Sequence, residues 1–179
     1  MNFEKTEIDG VYSIKNDMFA DARGLFTKHY HHDGFLRIGL EANFKEAYYT
    51  MSKRNVIRGM HFQSSPCDHA KLITVIEGRI TDVLLDIRKS STSSGKHTAI
   101  ELSADNNRSL FVPTGCAHGF KVISEYAIVS YLVTAVHSPS NDKGIRYDSF
   151  GYDWQVKHPI ISQRDLMLPA FEEFEDFFP

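Results

Sequence analysis

The stretch Arg58-Gly59-Met60-His61-Phe62-Gln63, with Lys71 ten residues beyond the histidine, carries the residue types for proton chemistry. An imidazole takes up a proton near neutral pH, and an ammonium group stabilises the negative charge that the removal leaves behind. The spacing predicts the histidine and the lysine on neighbouring β-strands. A second histidine stands in Pro113-Thr114-Gly115-Cys116-Ala117-His118-Gly119-Phe120. There the proline ends one strand, the glycine permits a tight turn and His118 begins the next strand. Three readings stand side by side: a metal site, an acid/base site, or polar side chains of an ordinary core.

In a strand, His61 and Gln63 face one side and Phe62 the other. Glutamine is a poor transition-metal ligand, so Gln63 weighs against a metal, although His69, Glu77 and His118 remain to complete a ligand set. A lone histidine is most often a core histidine. Here Arg58, Lys71, Asp82 and His118 also fall on predicted strands or their ends. A barrel interior lined with several polar groups marks a ligand site. His118 has two readings of equal weight: a direct catalytic role, or a buried hydrogen bond to a carboxylate such as Asp82. In Asp21-Ala22-Arg23-Gly24-Leu25-Phe26, preceded by Phe19, Arg23 is either a bidentate phosphate clamp or an ordinary turn arginine.

These side chains need strands to carry them. Lys71 to Ile76 and Ile80 to Ile87 are β-branched runs separated by Glu77-Gly78-Arg79, a hairpin signal. Further strands are predicted over 97–102, 109–113, 120–123 and 127–133, with turns at Asp105-Asn106-Asn107 and Ser124-Glu125-Tyr126. Short strands at this spacing indicate an all-β sandwich or barrel. Helix is scarce: a short one over Asp33 to Leu40 and another over Pro169 to Phe178. The second carries Phe171, Phe174, Phe177 and Phe178 as a stripe for the barrel or for a partner subunit.

A chain of 179 residues suffices for one domain with a sizeable core, and no internal repeat or linker divides 1–179. With 42% hydrophobic residues, 13 Phe and 8 Tyr, disorder is excluded as the main state. A net charge of −3 argues against a nucleic-acid binder that relies on phosphate neutralisation. No apolar run approaches the ~18 residues of a membrane span, and the N-terminus lacks an apolar signal core. Cys67 and Cys116 fit neither zinc spacing nor a disulfide framework and read as packed side chains. A cytoplasmic location is the expectation, with no membrane and no nucleic-acid partner.

Taken together, the motifs resemble the nucleotide-sugar 3,5-epimerases typified by dTDP-4-dehydrorhamnose 3,5-epimerase. The likeness rests on Asp21-Ala22-Arg23-Gly24, Val56 to Gln63, Lys71-Leu72, Gly78 with Asp82-Val83, Asp86 to Ser91, Pro113 to Phe120, Tyr131, Gly144-Ile145-Arg146 and Ser162 to Asp165. It implies an all-β cupin jelly-roll barrel with a few short peripheral helices, usually a homodimer, without metal or other cofactor. It implies His61 as the base, Asp165 as its partner, Lys71 as the stabiliser of an enolate and Tyr131 as the acid. Phe19, Arg23, Lys28, Glu46, Tyr48, Arg58, His118 and His137 then fall at substrate-binding positions, with Asp82 in support. The implied substrate is a nucleoside-diphosphate 4-keto-6-deoxy sugar of the dTDP-4-dehydro-6-deoxyglucose type. The pathway class is deoxysugar or surface-polysaccharide biosynthesis.

The chain departs from the family at the nucleotide end. Lys28 stands where a glutamate is common, Glu46-Ala47-Tyr48 where Gln-x-Asn is usual, and His137 where a tyrosine is common. A carboxylate accepts from the N3–H of thymine or uracil, whereas an ammonium donates to an acceptor such as cytosine N3. These departures raise the alternative of a monoepimerase acting on a CDP, GDP or UDP sugar. Three other readings compete: a 3,4-ketoisomerase on the same barrel, a metal-dependent oxygenase, and a non-catalytic sugar-binding protein.

Overall fold

The computed structural model describes residues 1–174 and 178. The chain opens with β1 (Asn2–Lys5), β2 (Tyr12–Lys15) and a hairpin of β3 (Asp17–Asp21) and β4 (Gly24–Lys28). A short helix α1 (His32–Leu36) precedes β5 (Glu46–Lys53), β6 (Ile57–Gln63), β7 (Lys71–Glu77), β8 (Arg79–Asp86) and β9 (His97–Ser103). Then follow β10 (Arg108–Val112), β11 (Cys116–Val122), β12 (Tyr126–Val133), β13 (Asp142–Gly144) and α2 (Gln163–Leu166).

Two antiparallel sheets face each other. One runs β1-β2-β10-β7-β12-β5 and the other β13-β6-β11-β8-β9. From β5 to β8, successive strands alternate between sheets or cross to the opposite one, which is the jelly-roll pattern. The expected all-β cupin barrel is the observed fold. No described helix is long and apolar enough to cross a membrane.

The crossing corrects two local readings. Glu77-Gly78-Arg79 is a tight turn, but β7 and β8 belong to different sheets and do not pair. Gly78 adopts φ +81°, and a Cβ there would lie 2.2 Å from the Tyr126 carbonyl oxygen, so the corner requires glycine. His61 on β6 and Lys71 on β7 likewise sit on opposed sheets rather than on adjacent strands. Turn chemistry signals a reversal in either case; which sheet receives the next strand depends on distant partners.

The central strands β7, β8 and β11 bury both faces, which is why β8 is a nearly unbroken buried run instead of an alternating one. Ile73, Val75, Leu84, Phe120 and Val129 fill one end of the space between the sheets. On the outer face of the second sheet, Met60, Phe62, Val83 and Leu85 are covered by Phe150, Trp154 and Phe174 from the C-terminal segment. On the outer face of the first sheet, Phe35 of α1 packs with Ile14, Leu72 and Phe111.

The C-terminal helix is not formed as expected. A single 3-10 turn spans Phe171–Glu173, and Phe177 lies outside the described residues. Phe174 and Phe178 pack edge-on against Phe62 at 5.3 and 5.9 Å, so these aromatics cover this chain's own barrel. Helix α1 ends at Leu36, four residues short of the predicted limit, and β11 starts at Cys116, two residues before His118.

Candidate active site

A cavity of about 360 Å³ lies between the sheets, within the size range of small-molecule sites. Its lining includes Glu46, Tyr48 and Thr50 of β5, Arg58, His61 and Gln63 of β6, and Lys71 of β7. His118 of β11 and Tyr131 of β12 join them. His69, His137, Asp142 and Arg164 complete its polar side chains.

His61 is oriented by a carboxylate 104 residues away: its Nε2 lies 2.8 Å from Asp165 Oδ1. The other oxygen, Oδ2, accepts the Gly59 N–H at 3.3 Å. That amide is free because the β6–β11 register slips: His118 faces His61, but Phe120 faces Arg58. Such a bulge releases a donor from the ladder and re-aims it. Gly59 has φ +127°, and a Cβ on it would stand 2.4 Å from Gly119 Cα, so the close approach of β6 and β11 excludes any side chain.

Asp165 is buried on α2, with its own N–H held by the N-cap Ser162. Burial works to raise its pKa, but the hydrogen bond and charge of His61 and the Gly59 amide outweigh it and hold the carboxyl below its ordinary value. An ionised Asp165 accepts the Nε2 proton of His61. The lone pair is therefore on Nδ1, the nitrogen free to act as a base.

Lys71 is buried, and its Nζ donates to the His61 carbonyl oxygen at 3.0 Å. Burial pushes the ammonium pKa down to about 8, against the opposing pull of Asp142 and Asp82. His118 Nε2 lies 2.8 Å from Asp82 Oδ2, and both side chains are buried. Burial lowers the pKa of His118 and raises that of Asp82; His118 stands at the cavity wall with Asp82 behind it.

Tyr131 is buried, and burial raises its phenol well above 10, so it keeps its proton at neutral pH. Tyr48 stacks on it with centroids 4.8 Å apart and planes 18° from parallel. Burial pushes the Tyr48 phenol up to about 12. Arg58 donates from Nε to Ser52 Oγ at 2.8 Å. This leaves the terminal N–H groups of its exposed guanidinium for a ligand.

Three predicted binding residues do not line this cavity. Phe19 is 63% exposed on the β3–β4 hairpin. Arg23 pairs with its own Asp21 at 2.5 Å. Lys28 lines a separate surface hollow beside Asp17, His31 and Arg37. Glu46 reaches the cavity, but its Oε2 already accepts the His137 N–H at 2.8 Å. Of the departures that raised another nucleotide, Glu46 and Tyr48 line this cavity and Lys28 lies in the separate hollow. Glu77 does not join His61, since it bonds the Tyr126 hydroxyl at the β7–β8 corner. Among the described residues no group of three His, Cys, Asp or Glu side chains is arranged to hold a metal.

Sequence reasoning missed several lining residues. Thr50 follows from strand alternation with Tyr48. Arg164 stands next to Asp165 and pairs with Asp142 at 2.7 Å. Gln63 emerges as a strap. Its Nε2 donates to the Cys67 and Val136 carbonyls at 2.6 and 3.3 Å and lies 2.9 Å from His69 Nδ1, while its Oε1 accepts the Ser138 N–H at 2.6 Å. No local pattern announces the contacts to Val136 and Ser138, which lie more than 70 residues away in the chain.

The family model described as dTDP-4-dehydrorhamnose 3,5-epimerase matches residues 5–173. A protein of that name from Methanothermobacter thermautotrophicus is 40% identical over 168 residues, covering 91% of this chain and 90% of the relative. The crystal structure of the Bacillus anthracis dTDP-4-dehydrorhamnose 3,5-epimerase with TDP and PPi bound superposes with a TM-score of 0.91 at 34% identity, covering 94% of this chain and 98% of that one. The Legionella pneumophila dTDP-6-deoxy-D-glucose-3,5-epimerase, in complex with dTDP-4-keto-L-rhamnose, gives 0.92 at 29% identity, covering 97% and 94%. With the model matched along nearly the whole chain and the same barrel in solved relatives, the chain belongs to the dTDP-4-dehydrorhamnose 3,5-epimerase family of isomerases.

Proposed function

We propose that this protein inverts C3 and C5 of dTDP-4-dehydro-6-deoxyglucose to give dTDP-4-dehydrorhamnose, a step in deoxysugar supply for surface polysaccharide. The observation that carries the mechanism is the placement of His61 and Tyr131 on opposed sheets across one cavity, with Lys71 on the tyrosine's sheet. Inversion at carbon needs a base on one face of the sugar and an acid on the other.

His61 Nδ1 takes the proton from the carbon beside the C4 ketone. The C–H electron pair becomes the enolate double bond, and the carbonyl π pair moves onto the C4 oxygen. The Lys71 ammonium stabilises that oxygen; a preorganised donor of this kind contributes about 3 kcal/mol. The enolate carbon then takes the Tyr131 hydroxyl proton on the opposite face, and the carbonyl reforms. Water restores the phenol and removes the proton from His61. The ketone itself is the electron sink, so the route uses no cofactor. Arg58 binds the diphosphate by charge-assisted hydrogen bonds.

The working unit in this reading is a homodimer in the cytoplasm. The exposed apolar side chains Met18, Phe19, Leu25 and Phe26 of the β3–β4 hairpin suit burial against a second copy. Phe19, Arg23 and Lys28, absent from this chain's own cavity, would then reach the other copy's substrate. The free cysteines accord with a reducing compartment.

The test is incubation with the 4-keto-6-deoxy sugar nucleotide in deuterated water, following C3 and C5 by NMR. The wild-type protein is expected to label inverted carbon, and His61→Ala to lose labelling. Full labelling by His61→Ala, or no labelling by the wild type, refutes the assignment. Parallel titration with dTDP, UDP, CDP and GDP is expected to favour dTDP.

A further inference from the structure

The proposed acid, Tyr131, does not stand alone. In the β5–β12 ladder Tyr48 lies directly opposite it, and the two rings stack at 4.8 Å with planes 18° apart. On another side the His118 ring meets Tyr131 edge-on at 6.1 Å, and His118 is itself anchored to Asp82. Tyr131 is 5% exposed, whereas Tyr48 is 40% exposed and lines the cavity. The phenol ring of Tyr131 is thus clamped, with a removable aromatic face on the cavity side of one clamp.

A clamped ring has a chemical consequence. C3 and C5 flank the C4 ketone, and each must receive its proton from the face opposite His61. An acid that cannot swing offers its proton at one place, so the second carbon is served only when the sugar turns in the cavity. An acid free to swing would serve both without that turn. The clamp therefore bears on how inversion is divided between the two carbons.

Resting on the reading of Tyr131 as the acid, we infer that Tyr48 is a positioning residue whose stacked ring holds Tyr131 in place and thereby sets the partition of inversion between C3 and C5. The ring is what matters in this account, and the Tyr48 hydroxyl does not enter it.

The experiment compares wild type, Tyr48→Phe, Tyr48→Ala and Tyr48→Leu in deuterated water with the 4-keto-6-deoxy sugar nucleotide. It reads the ratio of deuterium at inverted C3 to that at inverted C5 in early product. Tyr48→Phe keeps the stack and is expected to keep the wild-type ratio. Tyr48→Ala and Tyr48→Leu remove it and are expected to shift the ratio by about 2- to 10-fold, the range a lost aromatic pair corresponds to in relative rates. The ratio is internal to each sample, so loss of folded protein or of affinity lowers both labels together and leaves it unmoved.

An unchanged ratio in Tyr48→Ala and Tyr48→Leu overturns the inference while leaving the epimerase reading intact. A shift in Tyr48→Phe equal to that in Tyr48→Ala overturns it too, by assigning the effect to the hydroxyl. Absence of label at both carbons in the wild type overturns the epimerase reading and the inference with it.

Discussion

Lys71 carries an ammonium into the barrel interior, and its burial has opposite consequences for activity and for stability. Its pKa of about 8 in the fold compares with an ordinary value of 10.5. The charged form, needed to hold an enolate oxygen, is lost as pH rises through about 8. Turnover is therefore expected to fall on the alkaline side with an apparent pKa near 8, read from the pH profile of kcat. The stability sign is reversed. Because the unfolded chain holds this proton more tightly, the fold is destabilised below about pH 8, and the cost is relieved between about pH 8 and 10.5. The difference corresponds to a cost of about 3 kcal/mol. Lys71→Met is accordingly expected to abolish turnover yet raise the Tm at pH 7 by several degrees, since ~1 kcal/mol moves a chain of this size by about 2–4 °C. A lowered Tm would show that Lys71 stabilises the barrel.

Among the elements, β6 does most of the positioning. Its bulge frees the Gly59 amide for Asp165, its alternation turns His61 and Gln63 into the cavity, and its outward residues Met60 and Phe62 bind the C-terminal segment. Gln63 ties the loop at Cys67 to the loop at Val136 and Ser138, on either side of the β7 entrance. Gln63→Leu keeps the volume but removes three hydrogen bonds to part-buried backbone groups, each worth about 0.5–1.5 kcal/mol. Urea unfolding is expected to show a loss of about 2–4 kcal/mol, and hydrogen exchange a faster opening of 64–69 and 136–138. Unchanged exchange in those loops would mean that other contacts hold them.

For the whole molecule, the exposed apolar hairpin is the feature a lone barrel does not explain. Phe19 and Phe26 are 63% and 59% exposed, and their rings lie 6.2 Å apart. The β5 edge adds Tyr49 and Met51, 71% and 62% exposed. Burying apolar surface of this kind drives association at about 25 cal/mol per Å². The wild-type protein is expected to sediment at twice the 20.4 kDa chain mass. Phe19→Asp with Phe26→Asp is expected to sediment as a monomer that keeps its β-sheet circular dichroism and loses turnover. A variant that stays dimeric, or a monomer with full turnover, would remove the hairpin from the active unit.

The kinds of chemistry were legible in the chain because they depend on residue type and local period. A histidine in a strand with glutamine two residues on, a lysine opening a buried run and a proline-glycine turn before a second histidine can each be read within a short window. So could most strand positions, since alternation and β-branched runs are local. Pairing was not legible. Whether β7 turns back on β8 or crosses to the other sheet is settled by distant strands, and that choice sets His61 and Tyr131 on opposite walls. Of the same kind are Tyr48 stacking on Tyr131, Glu46 turning to the His137 amide, and the approach of Asp165 to His61, which the family resemblance implied but no local pattern did. They join residues 83 to 104 positions apart, and burial and hydrogen-bond satisfaction across the closed barrel select them where no local propensity can.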